Sequence, residues 1–123
     1  MARSYRDLLV WQKAKTLAVR IYRNTESFPR SEIYSLTSQL RRAGISVASN
    51  IAEGQGRLTL GEFQHFLGQA RGSLLELEAQ LNIAAELGYL NRESFESLLN
   101  ESYQVLGLLN RLLESLRTKS TQR

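Results

Sequence analysis

Residues 39–57 read QLRRAGISVASNIAEGQGR. Leu40, Ala43 and Val47 keep a helical period through this stretch. Beside them, small residues recur every fourth position at Gly44, Ala48 and Ala52. A helix that needs only a core would carry larger apolar side chains there. Small residues at i, i+4 and i+8 share one face and let another helix backbone come close. Asn50 and Glu53 flank the row, and polar groups beside a buried contact need partners. The pair Arg41-Arg42 precedes it, and Gly54-x-Gly56-Arg57 closes it as a helix stop. The stretch therefore predicts a tight packing seam with an arginine pair beside it. It contains no catalytic motif.

Working outward, the same period appears in four segments. Trp11, Ala14, Ala18, Ile21, Thr25 and Phe28 alternate by three and four, and so do Ile33, Leu36, Leu40, Ala43 and Val47. Phe63, Leu67, Ala70, Leu74, Leu77, Leu81 and Ala84 continue it, followed by Phe95, Leu98, Ser102, Val105, Leu109, Leu112 and Leu116. Strand-like alternation is absent. The punctuation fits: Phe28-Pro29 ends the first segment and offers Ser31 as the next N-cap, and Gly54 and Gly56 end the second. Thr59-x-x-Glu62 is a capping box with Leu58 and Phe63 as its apolar staple, Gly88 ends the third helix, and Asn91 caps the fourth. Short connections between helices of about 20–27 residues predict an all-α, antiparallel up-down-up-down four-helix bundle. Residues 1–123 form one domain, with an ordered core over about 5–117 and a polar tail at 118–123.

Two further rows leave room for more than one reading. Leu99, Leu106 and Leu113 lie seven apart beside the fourth seam, and Gly68-x-x-x-Gly72 suggests a close helix approach on the third. Either this surface widens the internal core, or it joins subunits, since small monomers seldom expose large apolar patches.

The charge is uneven. The chain carries a net +4, but residues 1–30 hold seven Lys/Arg against two Asp/Glu and residues 58–90 sum to −3. Arg6, Lys13 and Arg20 are spaced by seven on one side of the first helix, with Arg23 and Arg30 on the next stripe. Such a row is either a solvated face or a track for a phosphate backbone. Arg41 and Arg42 divide between phosphate binding and pairing with Glu53, Glu76 or Glu78. The expectation is that no aromatic platform interleaves with these cations, so sequence-specific base stacking is not expected.

Little else suggests chemistry. There is no cysteine, which excludes disulfides and thiolate metal sites and suits a reducing cytoplasm. His65 is the single histidine, and Glu62-x-x-His65 occurs once where a di-metal bundle needs it twice. Glu76 and Glu78, two apart on a helix, diverge and do not make an acid/base pair. Ser73 has no histidine near it. The N-terminal MARSYRDLLVW lacks the apolar core of a signal peptide, and no apolar run approaches the roughly 20 residues of a membrane span. The expectation is a non-enzymatic, cytoplasmic protein without cofactor, metal or membrane partner.

Particular residues in order carry a resemblance. Leu8-x-Val10-Trp11-x-x-Ala14, Ile21-Tyr22, Phe28-Pro29 and Glu32-x-Tyr34-x-Leu36-x-x-Gln39-x-Arg41-Arg42-Ala43 come first. Asn50-Ile51-Ala52-Glu53-Gly54-x-Gly56-Arg57, Phe63-x-x-Phe66-Leu67-x-x-Ala70-x-Gly72-Ser73 and Glu76-x-x-x-Gln80-Leu81 follow. Together they resemble the four-helix bundle proteins encoded in ribosomal RNA intervening sequences, a family related to the accessory variability proteins of diversity-generating retroelements. The resemblance runs from about Tyr5 to Leu116. It implies a homo-oligomeric, pentameric ring with a basic surface. It further implies RNA or DNA as a partner and, in one branch, a reverse transcriptase. Candidate nucleic-acid contacts are then Arg6, Lys13, Arg20 and Arg23, with Arg41, Arg42 and Arg57 in addition. The competing expectation is a scaffold that binds a protein and no nucleic acid, the acidic third helix of one subunit meeting the basic first helix of the next.

Overall fold

The computed structural model describes residues 4–121, with side chains through Lys119. Four α-helices follow one another: α1 over Leu9–Asn24, α2 over Leu36–Gln55, α3 over Leu60–Glu86 and α4 over Arg92–Thr121. Turns of 3-10 helix at Tyr5–Asp7 and Arg30–Glu32 precede α1 and α2, and no strand occurs among the described residues. α1 approaches α2, α2 approaches α3, α3 approaches α4, and α4 returns to α1; the diagonal pairs make no close backbone approach among the described residues. That is the neighbour pattern of a four-helix bundle. With 16 and 30 residues, α1 and α4 fall outside the expected lengths, and α4 passes through the start of the expected polar tail.

The buried faces follow the heptad positions, with one rotation. In α3 and α4, Leu67, Ala70, Leu74, Leu77 and Leu81 meet Leu98, Val105, Leu109 and Leu116 as the pattern predicts. In α1 the centre of the buried stripe is Val10, Ala14, Leu17 and Ile21, while Trp11 and Ala18 are only half-buried. Leu17 contributes more apolar area than Ala18, and full burial of such a leucine gives about 1.5–3 kcal/mol. Ile33, expected in the second seam, is 50 % exposed, because α2 begins only at Leu36. Leu106 and Leu113 pack on the buried cluster and widen the core, whereas Leu99 is half-buried at its edge.

Cross-links between helices are polar and paired by position. Gln80 donates to Gln39 (3.5 Å), the Ser46 and Ser73 hydroxyls bond at 2.8 Å, and Gly54 lies against Phe66. As α2 positions rise from 39 through 46 to 54, their partners on α3 fall from 80 through 73 to 66. Asn50 holds Ser46 in place by donating to its carbonyl (2.8 Å) and hydroxyl (3.0 Å). Between α3 and α4, the fully buried Ser102 hydroxyl donates to Glu78 at 3.0 Å.

Two glycines of α2 permit close approaches. A Cβ on Gly44 would lie 3.5 Å from the Ala18 Cα, so α1 and α2 meet nearly backbone to backbone. A Cβ on Gly54 would lie 2.9 Å from the Phe66 Cβ and 3.0 Å from Phe63. Gly54 is thus a packing residue inside α2 rather than a helix stop; Gly56 is the C-cap. Within the protomer Gly68 and Gly72 make no close helix approach. Both are exposed on the outer side of α3, with nothing within 4 Å of an added Cβ.

Most helix boundaries have local chemical causes. The Thr59 hydroxyl accepts from the Glu62 N–H at 3.1 Å and Asn91 accepts from the Ser94 N–H at 2.8 Å, as the capping pattern predicts. Gly88 adopts φ +80°, with Tyr89 N–H on Ala84 (2.9 Å) and Gly88 N–H on Ala85 (3.0 Å), a Schellman closure of α3. Leu58 is 97 % exposed, so the expected staple to Phe63 does not form. Ser31 lies in a 3-10 turn and does not cap α2. Glu32 takes over at that boundary: its carboxylate accepts from the Ser35 hydroxyl (2.6 Å), the Tyr89 hydroxyl (2.9 Å) and the Leu36 N–H (3.4 Å).

These hydrogen bonds hold Glu32 below the ordinary glutamate range, Ser35 contributing most, and the same contact pushes Tyr89 up. A lowered folded pKa means the contribution is present above the unfolded value and is lost as pH falls through the folded one. Tyr89→Phe is expected to move the Glu32 titration, followed by carboxyl carbon NMR, upward; an unmoved curve would show the bond is absent in solution. For packing, Gly54→Ala is expected to cost about 1–3 kcal/mol in chemical denaturation. Within a protomer Gly68→Ala should instead gain up to about 1 kcal/mol from helix propensity. Equal effects at the two glycines would contradict their placement.

Candidate nucleic-acid interface

The cationic side chains expected to form one row are separated by local structure. Arg6 belongs to the 3-10 turn before α1, and extended Leu8 breaks the helical phase between Arg6 and Lys13. Lys13 is exposed on α1. Arg20 forms an ion pair with Glu101 of α4 and donates to the Ser97 hydroxyl at 3.0 Å. With both partners about 30 % exposed, the pair contributes at most about 1 kcal/mol, but it occupies the guanidinium.

Arg41 and Arg57 are likewise held internally. Arg41 Nε donates to the Thr25 hydroxyl at 2.9 Å, and its guanidinium lies 4.7 Å from the Tyr22 ring centroid. Arg57 bonds Glu53 at 2.6 Å, approaches Glu62 at 3.9 Å and covers the Phe66 ring at 4.5 Å. Arg6, Lys13, Arg23 and Arg42 are exposed and make no ion pair among the described residues. Three of the seven candidate cations are therefore occupied and four remain available.

Between α1 and α2 runs an open groove of about 630 Å³. Ala18, Val19, Ile45, Ala48 and Ala52 form its floor, Tyr5, Trp11 and Tyr22 its aromatic wall, and Lys15, Arg23 and Glu26 its charged rim. The expected seam is corrected here: Gly44 alone makes the close approach, while Ala48 and Ala52 line the groove. Short side chains on both facing helices leave volume that longer ones would fill.

The expectation that aromatic residues do not accompany the cations is also overturned. Lys15 Nζ lies 5.3 Å from the Trp11 ring centroid, Arg6 lies 5.7 Å from that of Tyr5, and Tyr5 meets Trp11 edge-on at 4.8 Å. Such contacts contribute about 0.5–1 kcal/mol each at exposed sites. Lys15 went unread although its spacing of four from Trp11 on a helix was a usable signal. The residues considered for chemistry are placed apart: Glu76 accepts from Gln80 at 3.1 Å, Glu78 accepts from Ser102, and His65 packs edge-on to Phe66. Among the described residues no three His, Cys, Asp or Glu side chains gather as a metal site, and no helix is long and apolar enough to cross a membrane.

Similarity to known proteins extends over nearly the whole chain. A search of curated proteins finds no match. A solved structure from Bacteroides thetaiotaomicron, a protein of unknown function from the S23 ribosomal protein family, superposes with a TM-score of 0.80 at 26% identity. The alignment covers 86% of this chain and 96% of that one. A family model described as 23S rRNA-intervening sequence protein matches residues 6–111, a span that contains the groove lining except Tyr5, Arg6 through Arg57 and all of the quoted motifs. The chain belongs to the 23S rRNA-intervening sequence protein family.

Proposed function

We propose that this chain is a non-enzymatic, homo-oligomeric protein that binds RNA or DNA through backbone phosphates on its α1–α2 side. The observation that carries the reading is the cationic, aromatic groove: Lys15 and Arg23 line it and Arg6 lies on the ring of Tyr5 in its wall, none of them in an ion pair among the described residues, while Lys13 and Arg42 add exposed, unpaired cations elsewhere on α1 and α2. A positive groove with aromatic walls suits single strands, whose bases stack without sequence preference while cations track the phosphates. The bundle runs up-down-up-down, supported by the opposed rise and fall of contact positions on α2 and α3. Cytoplasmic action fits a ribosomal RNA-linked family. A reverse transcriptase is the protein partner in the retroelement-linked branch.

Oligomerisation is supported by apolar side chains on two unlike faces. Val19, Tyr22 and Ile45 lie on the α1–α2 side, and Leu75, Ile83 and Leu87 lie on or just after α3; all are more than a third exposed. Unlike faces associate head to tail, and such contacts close into rings, a pentamer in this reading. One observation favours the scaffold as a second reading: the groove floor is apolar with Lys15 and Arg23 at its rim, while the exposed α3 face carries Glu76 and Glu86. A neighbour's α3 in the groove would then consume the cations.

The experiment titrates labelled single-stranded RNA and DNA with the parent and with an Arg6/Lys13/Arg23/Arg42→Glu variant, at low and moderate salt, alongside light scattering. The expected result is a mass of several subunits for both proteins and binding only by the parent. Its log–log salt slope should fall about 0.7 for each phosphate contacted. Loss of oligomeric mass in the variant would favour the scaffold. A 14.0 kDa parent particle would overturn the ring, and a parent that binds nothing at low salt would overturn the nucleic-acid reading.

A further inference from the structure

At the turn between α1 and α2 lies a separate hollow of about 190 Å³. Thr37, in the first turn of α2, lines it and is 4 % exposed, yet its hydroxyl has no hydrogen-bond partner. A buried hydroxyl without a partner is unusual and calls for one. The polar groups at the start of α2 favour an anion. Thr37 stands at the positive end of a 20-residue helix. Glu32 takes only the Leu36 N–H, and the next N–H groups, of Thr37 and Ser38, have no acceptor among the described residues.

Arg41, one turn further along, also lines the hollow. Its Nε and Nη2 are used on Thr25 and on the Tyr22 carbonyl (2.9 and 3.4 Å), leaving Nη1 without an acceptor among the described residues. Arg30 adds a second guanidinium that makes no ion pair among them. Phe28, Pro29 and Ile33 supply an apolar wall, and Glu26 is the one carboxylate in the lining.

We propose that this hollow binds a small monocarboxylate. The carboxylate accepts from the Thr37 hydroxyl, the free edge of Arg41 and Arg30, and a short hydrocarbon body rests on Phe28, Pro29 and Ile33. Two features select this class. The volume is roughly that of six waters, which suits an acid of about six heavy atoms. The apolar wall rewards a hydrocarbon that inorganic phosphate lacks, while Glu26 repels a second negative charge. The proposal does not rest on the nucleic-acid reading: Glu26 borders both hollows, but none of the four available cations of that surface lines this one.

Backbone amide NMR on the full chain tests it, with sodium isobutyrate added to about 50 mM at constant ionic strength and with inorganic phosphate in parallel. Saturable shifts at the Thr37 and Ser38 amides are expected with isobutyrate. Thr37→Val should bind about tenfold more weakly or worse, the loss expected for a hydrogen bond to a charged group. Arg30→Gln, at an exposed position outside the core, should weaken binding severalfold and serves as the reading if Thr37→Val fails to fold. Absence of saturable shifts, unaltered binding in the variants, or phosphate binding as tightly as isobutyrate at these amides would each overturn the proposal.

Discussion

The contact on which the rest of the molecule depends is the backbone-level approach of α2 to both of its neighbours. Gly44 brings α2 against Ala18 of α1, and Gly54 brings it against Phe63 and Phe66 of α3. Interiors are close-packed, so at Gly54, where an added Cβ would lie 2.9 Å from Phe66 and 3.0 Å from Phe63, even one methyl forces a shift, while at Gly44 it would just reach contact with Ala18. α2 therefore acts as the fixed member of the bundle. The polar ties Ser46–Ser73 and Gln39–Gln80 lie along the same helix and hold its register against α3.

The groove is a consequence of the same constraint. Close approach at Gly44 is not continued along the row, because Trp11, Lys15 and Tyr22 of α1 are too large to follow Ala48 and Ala52 inward. The Trp11 and Tyr22 rings and the Lys15 chain stand at the edge and leave the small residues as a floor. Lys15 and Arg6 keep their charge available by resting on the Trp11 and Tyr5 rings instead of pairing with carboxylates. Arg20 shows the opposite outcome on the other side of α1, where α4 presents Glu101 and Ser97. One short helix thus carries a paired arginine toward α4 and unpaired cations toward the groove, a distinction that net charge alone does not carry.

Much of this was legible from residues in order. The periodicity of α3 and α4, the Thr59 and Asn91 caps and the Gly88 closure depend on interactions within a few residues, and each appears where its pattern predicts. The misreadings concern reach across the fold. Ser31 looked like a cap because serine before a helical run usually is one, but Glu32, steadied by Tyr89 from 57 positions away, takes over the start of α2. Leu58 looked like a staple and stands in solvent.

By itself, then, the sequence determined four helices, the majority of their buried stripes, the local signals at several of their ends and the family to which the chain belongs. Those features rest on helical period, capping hydrogen bonds and the left-handed freedom of glycine, all local. Only the tertiary structure decided which small residues make contacts, Gly44 and Gly54, and which leave space, Ala48, Ala52, Gly68 and Gly72. It also decided which arginines are occupied, because Arg20, Arg41 and Arg57 differ from Arg6, Arg23 and Arg42 in what the fold places beside them. A small side chain or a cation has the same local meaning wherever it occurs; its role is set by the distance to another element, which no spacing within one helix encodes.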